Sequence, residues 1–529
     1  MVSLTFYGGI NEIGGNKILL EDGELRLFLD FGFPYKRHKE FYEEYLKPRG
    51  GAGLLDPLSI GLIPPLEGLY RADLEPPSLW QQFRQAPYYR KLDCVDGVLL
   101  SHAHLDHSGN IAFLREDIPV YSTMTTAFIA KAVQDSGKAD FDQQVSYFDY
   151  KQPGRPAGWK QDALLTTDTK QQRQFCINDA DVANLSDDAR IFWHKPPGRR
   201  PLISCSLLGH SSCSLPLRSF PVDHSIPGAC AWGIETSSGW VIYSGDLRLH
   251  GRQGDRTREF MEEAGKLHPR ALVLEGTNVK RTENVYEDEV YKNGLKAIKD
   301  ATGLVIADFP PRDVYRLLTF LDIAREMGRK LAILPKDAYL LKTMRLLEPE
   351  VPDIAHEDSL VIYQDTIASK SPNMWVQNLC KEYGSKMVLA EDVRSAQDKF
   401  ILCFSFWDIN ELPSIRPGQG SLYVFSSSEP HDEEQEIDFR RLHRWIKYFG
   451  LKGVGLPIEV GDKWEIPEAG RGLHASGHAC GPDLLEVALS IKPEILIPVH
   501  SEEPEFYSEH LGSSEIEVIL PDVGGTITI

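Results

Sequence analysis

The sequence predicts a layered α/β protein with more than one core. Two observations carry this. Short apolar runs that end in His, Asp or Glu recur along the chain, at 25–31, 96–102, 240–246, 271–275 and 494–500. Such runs read as buried strands, and in an α/β layered fold their C-terminal ends share an edge where sites are built. Separately, residues 303–335 read as strand, helix and strand, a βαβ unit that calls for a parallel sheet with its own core.

The elements follow in chain order. Residues 4–31 read as two or three strands, with Asp30 before Gly32 at the end of the last. An Asp there caps a turn or orients a metal ligand. Residues 34–92 are rich in Pro, Gly and aromatics and read as a structured insertion with short helices. Within them Tyr35, Lys36, Arg37, Lys47 and Arg49 form a basic, aromatic-interleaved stretch suited to phosphate. The run 96–101 is a buried strand, and 108–110 leads into a helix. Residues 134–200 are polar and irregular, which predicts an insertion of surface loops. His224 ends an extended segment before a Pro-Gly turn, and Asp246 and Glu275 each close a strand. After the βαβ unit, 337–445 continues with mixed helical and strand patterns. A helix over 434–449 carries acidic residues early and basic ones late, matching its dipole. His474 to His478 is a small-residue loop, 482–491 a helix opened by Pro482, and 494–500 a last strand ending in His500.

The bulk properties exclude some classes. At 529 residues, two to four domains are expected. No run of eighteen apolar residues exists, so no membrane span is expected, and the N-terminus has no basic, apolar leader pattern. The eight cysteines form no Cys-x-x-Cys pair and read as reduced thiols of a cytoplasmic protein. The net charge of −20 argues against a broadly basic nucleic-acid clamp, though not against a local basic channel.

The chemistry centres on Ser-His-Ala-His-Leu-Asp-His-Ser-Gly at 101–109. It sets His102, His104, Asp106 and His107 within one loop between strand and helix. Imidazoles and a carboxylate suit Zn²⁺. Four such groups on one tight loop cannot all reach a single tetrahedral ion. Two ions sharing the loop is the easier arrangement, and it suits hydrolysis of phosphate esters.

With these residues in place, the sequence resembles the metallo-β-lactamase superfamily and, within it, the β-CASP nucleases of the RNase J-like kind. His102, His104, Asp106 and His107 match the His-x-His-x-Asp-His signature. His224 matches the family's next His, Asp246 in Ser-Gly-Asp its bridging Asp, and Asp30 its strand-end Asp. Glu275 with Thr277, the loop His474, Ser476, Gly477, His478, and His500 in Pro-Val-His match the three β-CASP motifs.

The resemblance implies an αββα metallo-β-lactamase sandwich split in sequence, with an inserted β-CASP domain made of a parallel sheet flanked by helices. The first part would run over 1–280, with insertions at about 34–92 and 134–200. The β-CASP domain would be 281–455 and the return segment 456–529. Two Zn²⁺ per chain are implied. His102, His104 and His224 would hold one, Asp106, His107 and His500 the other, and Asp246 would bridge them, with Asp30 supporting a ligand from behind. Asp106, Glu275 and His478 would be catalytic, with Glu275 holding His478 protonated as a general acid. His474, Ser476 and Gly477 would bind substrate phosphate. The expected activity is hydrolysis of phosphodiester bonds in single-stranded RNA, internally or from the 5′ end. The alternatives are a DNA nuclease of the same family, a hydrolase of a small ester, thioester or lactam, and a non-catalytic scaffold.

Overall fold

Period-two burial builds the first of two compact units. A computed structural model describes residues 1–529 except 44, 138–139, 161, 210–214, 311, 366–371, 429–432 and 462. One unit comprises Met1–Leu249, Gly254–Thr282 and His478–Ile529. The other comprises His250–Gln253 and Glu283–Gly477.

In the first unit, eight strands form a sheet ordered Leu208–Gly209, Phe175–Ile177, Val120–Ser122, Gly97–Leu99, Leu25–Leu29, Lys17–Asp22, Val2–Gly8 and Thr526–Thr528. Six more form a second sheet, ordered Leu217–Pro221, Cys230–Thr236, Gly239–Tyr243, Ala271–Glu275, Ile495–Val499 and Glu517–Val518. Alternate residues of the first sheet, such as Leu4, Phe6, Ile18 and Leu29, enter one core with Trp232, Tyr243, Val273 and Ile497 of the second. The intervening residues Ile242, Leu272, Leu274 and Leu496 face away. They pack in another core with residues of the helices Gly254–Gly265, Gly481–Ile491 and Glu505–Leu511. Burial on both faces is why these strands read as continuous apolar runs. On the first sheet, Phe175 meets Trp193 of the helix Asp187–His194 at 5.4 Å.

Two local readings are corrected. The helix after the first strand of the motif starts earlier than expected. Leu105–Ser108 is already helical and continues as a 3₁₀ turn over Gly109–Phe113. Asp106 and His107 thus sit on a helical turn, with His104 as its cap residue. The segment 134–200 is also more ordered than surface loops. Tyr147–Gly154 and Ala163–Gln172 pair antiparallel, and Leu202–Ile203 adds a third strand. Its core partners are partly cationic, which hides the apolar period. The Arg71 guanidinium lies 3.8 Å from the Phe148 ring, and the buried Arg173 donates to the carbonyls of Leu114 and Arg115.

The second unit holds seven strands, all parallel, ordered Met387–Val388, Leu360–Tyr363, Lys330–Ile333, Phe400–Cys403, Val305–Asp308, Leu422–Phe425 and Lys452–Val454. The expected helix of the βαβ unit is Val314–Glu326, capped by Asp313. The acidic-to-basic helix is Glu433–Tyr448.

The boundary between the units falls between Gly477 and His478, later than the 455/456 boundary that the motifs implied. The reason is a buried ion pair. Arg316 reaches the Glu287 carboxylate at 2.9 Å, donates to the Ser426 carbonyl at 2.6 Å, and donates to the Ala475 carbonyl at 3.0 Å. Ser426 Oγ in turn donates to Leu473 O, and Asn293 to Gly472 O. These bonds hold 472–475 in the second unit. Replacing Arg316 by Met leaves Glu287 buried without its cation, so a loss of ~3–5 kcal/mol is expected in urea unfolding. A change below ~1 kcal/mol would show that Glu287 is satisfied without Arg316.

Seven of the cysteines are free thiols, and Cys213 lies outside the described residues. Among the described residues, no helix is long and apolar enough to cross a membrane.

Candidate metal centre and active site

Parallel strands place the site. Leu25–Leu29 and Gly97–Leu99 run side by side, so Asp30 and the motif loop leave the same edge of the first sheet. Gly239–Tyr243, Ala271–Glu275 and Ile495–Val499 do the same in the second sheet, ending towards Asp246, Glu275 and His500. The motif loop is stitched down by backbone bonds. Gly15, Phe31 and Phe33 donate to the carbonyls of Asp106, His107 and Leu105 at 2.8–2.9 Å. Gly32 must be glycine here, because a Cβ would lie 1.6 Å from the Asp106 carbonyl oxygen. Gly245, at φ 55°, turns the chain into Asp246 and packs on Ser101.

The side chains converge in two sets. His102 Nε2 stands 3.0 Å from His104 Nδ1, and His224 Nε2 stands 3.2 Å from the same nitrogen. His107 Nε2 and His500 Nε2 are 3.2 Å apart, with Asp106 Oδ2 at 3.9 and 3.5 Å from them. Asp246 Oδ2 lies between the sets, 3.1 Å from His107, 3.7 Å from His102, 3.8 Å from His500 and 3.9 Å from His224. All these residues are buried except His104 and Asp106, which are partly exposed.

Hydrogen bonds behind the rings decide which nitrogens face inward. The Ser101 hydroxyl donates to Asp30 Oδ2, so at 3.0 Å it accepts from His102 Nδ1–H. Asp30 Oδ2 also accepts from His107 Nδ1–H at 2.6 Å and from the Tyr243 hydroxyl at 2.6 Å. His500 Nδ1 meets Thr277 Oγ1 at 2.9 Å. In His102 and His107 the Nε2 lone pair therefore points into the cluster.

This donor set fits metal ions. Ligands at ~2.0–2.1 Å from one tetrahedral ion stand about 3.3 Å apart, close to the spacings found. Asp246 Oδ1 is buried with no hydrogen-bond partner. Burial, with His107 and His224, pushes the His102 pKa well down, so its neutral, ligating form prevails. Burial opposes charge on His107 too, but Asp246, Asp30 and Asp106 outweigh it and raise that pKa. The same carboxylates would hold a cation in place of that proton. The triads His102–His104–His224 and Asp106–His107–His500 each close within metal-binding distance, as does His102–His107–Asp246.

Glu275 is buried, with one oxygen accepting from Leu247 N–H at 2.8 Å and the other pairing with His478 Nδ1 at 2.9 Å. Burial works against charge on His478, but Glu275 and Asp246 raise its pKa to about 9. His478 also closes a possible metal triad with His224 and Asp246, so distance alone does not separate it from the ligand set. His474, Ser476 and Gly477 belong to the second unit. There His474 Nδ1 meets the Ser426 carbonyl at 3.3 Å, and Ser476 O meets His250 Nε2 at 3.0 Å.

Sequence reading missed Ser101, Tyr243 and Lys17. Lys17 is buried and donates to the carbonyls of Gly32 and Gly15, the two turns beside Asp106. A lysine opening an apolar strand was the one signal available for it. Ser101 and Tyr243 lie at ordinary strand ends and carried none. Of the basic stretch, Lys36 pairs with Glu502 at 2.8 Å and Arg37 with Glu40 at 2.5 Å.

Comparison with known proteins finds similar chains. The family model of the Zn-dependent metallo-hydrolase RNA specificity domain matches residues 471–521. Ribonuclease J of Pyrococcus abyssi is 22% identical, over 77% of this chain and 74% of that protein. Ribonuclease J of Mycolicibacterium smegmatis is 21% identical over 94% and 68%. That of Sinorhizobium meliloti is 26% identical over 53% and 45%. A protein of unknown function from Enterococcus faecalis V583 shares the fold over the full length of both chains, with TM-score 0.65 at 20% identity. In the metal-suited cluster at the strand ends and in the two-sheet sandwich with its inserted parallel sheet, the chain is similar to these ribonuclease J proteins, and residues 471–521 match the RNA specificity domain of Zn-dependent metallo-hydrolases.

Proposed function

We propose that this chain is a two-zinc ribonuclease of single-stranded RNA. The observation that carries the reading is the facing of ring nitrogens at 3.0–3.2 Å in two sets, with the Asp246 carboxylate between them. His102, His104 and His224 would hold one ion, Asp106, His107 and His500 the other, and Asp246 both. When bound, two such ions supply Lewis acidity toward phosphodiester oxygens and lower the pKa of water. The chain's own residues do the rest. Asp30 and Thr277 orient His107 and His500. Glu275 holds His478 by Nδ1, so a proton passed to the leaving alkoxide departs from Nε2. The matched RNA specificity domain and the ribonuclease relatives favour RNA over DNA. The free thiols suit a reducing, cytoplasmic setting.

The test is metal analysis of the purified protein beside cleavage of labelled single-stranded RNA and DNA. About two zinc ions per chain are expected, with RNA cleaved and a chelator abolishing cleavage. One ion or fewer after reconstitution, or cleavage of DNA alone, overturns the reading. Asp30→Asn is expected to weaken zinc binding by ~10–100-fold, read by chelator competition. Unchanged affinity would leave Asp30 a role in folding only.

A further inference from the structure

A cavity of about 320 Å³ opens in the first unit, lined by His38, Glu43, Lys47, Asp140, Phe141, Gln143 and Lys151, with Pro48 and Gly50. It is made by the two insertions that matched no motif, 34–92 and 134–200. An aromatic contact links it to the metal loop. The His38 ring lies 4.9 Å from Phe33, which donates its N–H to Leu105 O and packs on Gly109.

The lining is mixed in a way that selects a ligand. Lys151 Nζ lies 5.8 Å from the Phe141 ring centre, placing a cation beside a flat apolar surface. Lys151 is half-buried, and that burial lowers its pKa although the nearby Asp149 raises it. Lys47 pairs with Asp140 at 3.3 Å, but both side chains are more than half exposed, and a pair of that kind is easily exchanged. Glu43 and Asp140 would repel a bare phosphate. They would, however, accept hydrogen bonds from a base amino group or a ribose hydroxyl. The volume is at the low end for ligand cavities, enough for one nucleotide and too small for a duplex. Phe41 and Tyr45 stand exposed on the same insertion, a surface of the type that stacks single-stranded bases.

We propose that this cavity is an accessory subsite for one nucleotide of a single-stranded substrate, with its base on Phe141 and its phosphate between Lys47 and Lys151. It rests on the ribonuclease reading for its substrate, but its test has a readout of its own.

The probe is a fluorescent phosphorothioate RNA decamer, followed by anisotropy on the full-length protein. Phe141→Ala and Lys151→Gln are each expected to raise its Kd roughly tenfold, and Phe141→Tyr, which keeps a stacking face, to restore it to within about twofold. AMP should compete with the decamer for the parent protein, and inorganic phosphate should not. In turnover, the ratio of kcat/KM for an unmodified decamer to that for bis(p-nitrophenyl) phosphate should fall about tenfold in Phe141→Ala. An unchanged Kd, competition by inorganic phosphate equal to AMP, or an unchanged ratio overturns the subsite. If the parent binds the decamer through Phe141 but cleaves no RNA, the subsite stands and the ribonuclease reading fails.

Discussion

His478→Ala is expected to lower RNA turnover by ~10²–10⁴-fold, to keep the zinc content of the parent, and still to bind the phosphorothioate decamer. That combination separates a proton donor from a ligand, a distinction the distances do not make, since His478 also lies within reach of His224 and Asp246. The argument for the donor is the Nδ1 bond to Glu275. It commits one ring nitrogen to a buried carboxylate and favours the charged imidazole. In the proposed mechanism Glu275 acts through His478, as a positioning residue. Glu275→Gln retains an acceptor for Nδ1–H and should lose less turnover than Glu275→Ala, with KM little changed in either. Loss of zinc from His478→Ala would make it a ligand. Turnover at the parent rate would leave it a structural loop residue.

Asp246→Ala should empty both metal positions, with zinc falling from about two per chain toward none and RNA cleavage lost. The carboxylate lies within 3.9 Å of four ring nitrogens drawn from both triads, and one of its oxygens is buried without a hydrogen-bond partner. Burial opposes its ionisation, yet His107, His500 and His478 hold its pKa well below the usual carboxylate range. In the same reading His500→Ala would take a donor from one triad only, so about one zinc should remain. Dialysis against a weak chelator followed by elemental analysis reads both. Equal zinc loss in the two variants would refute separate positions, and full retention in Asp246→Ala would refute the bridge.

The sequence alone determined the chemistry and the layers. Four ligand-type residues in one short loop declare a metal centre because neighbours in sequence are neighbours in space. Strands buried on both faces declare themselves as apolar runs, which is why the sheets and the βαβ unit were legible. The structure alone decided what depends on distant segments meeting. Strand register pairs Glu275 with Val499, and so sets Glu275 beside the strand that ends in His500. Which nitrogen each histidine presents depends on Ser101, Asp30 and Thr277, contacts that no spacing encodes. The unit boundary moved to Gly477 because Arg316, far back in the chain, holds Ala475. The sheet in 134–200 was hidden because cations on aromatic rings supply part of its packing in place of an apolar stripe. Periodicity records how a segment meets its own local surface. Convergence of side chains two hundred residues apart is a property of register and packing, and only the folded chain contains it.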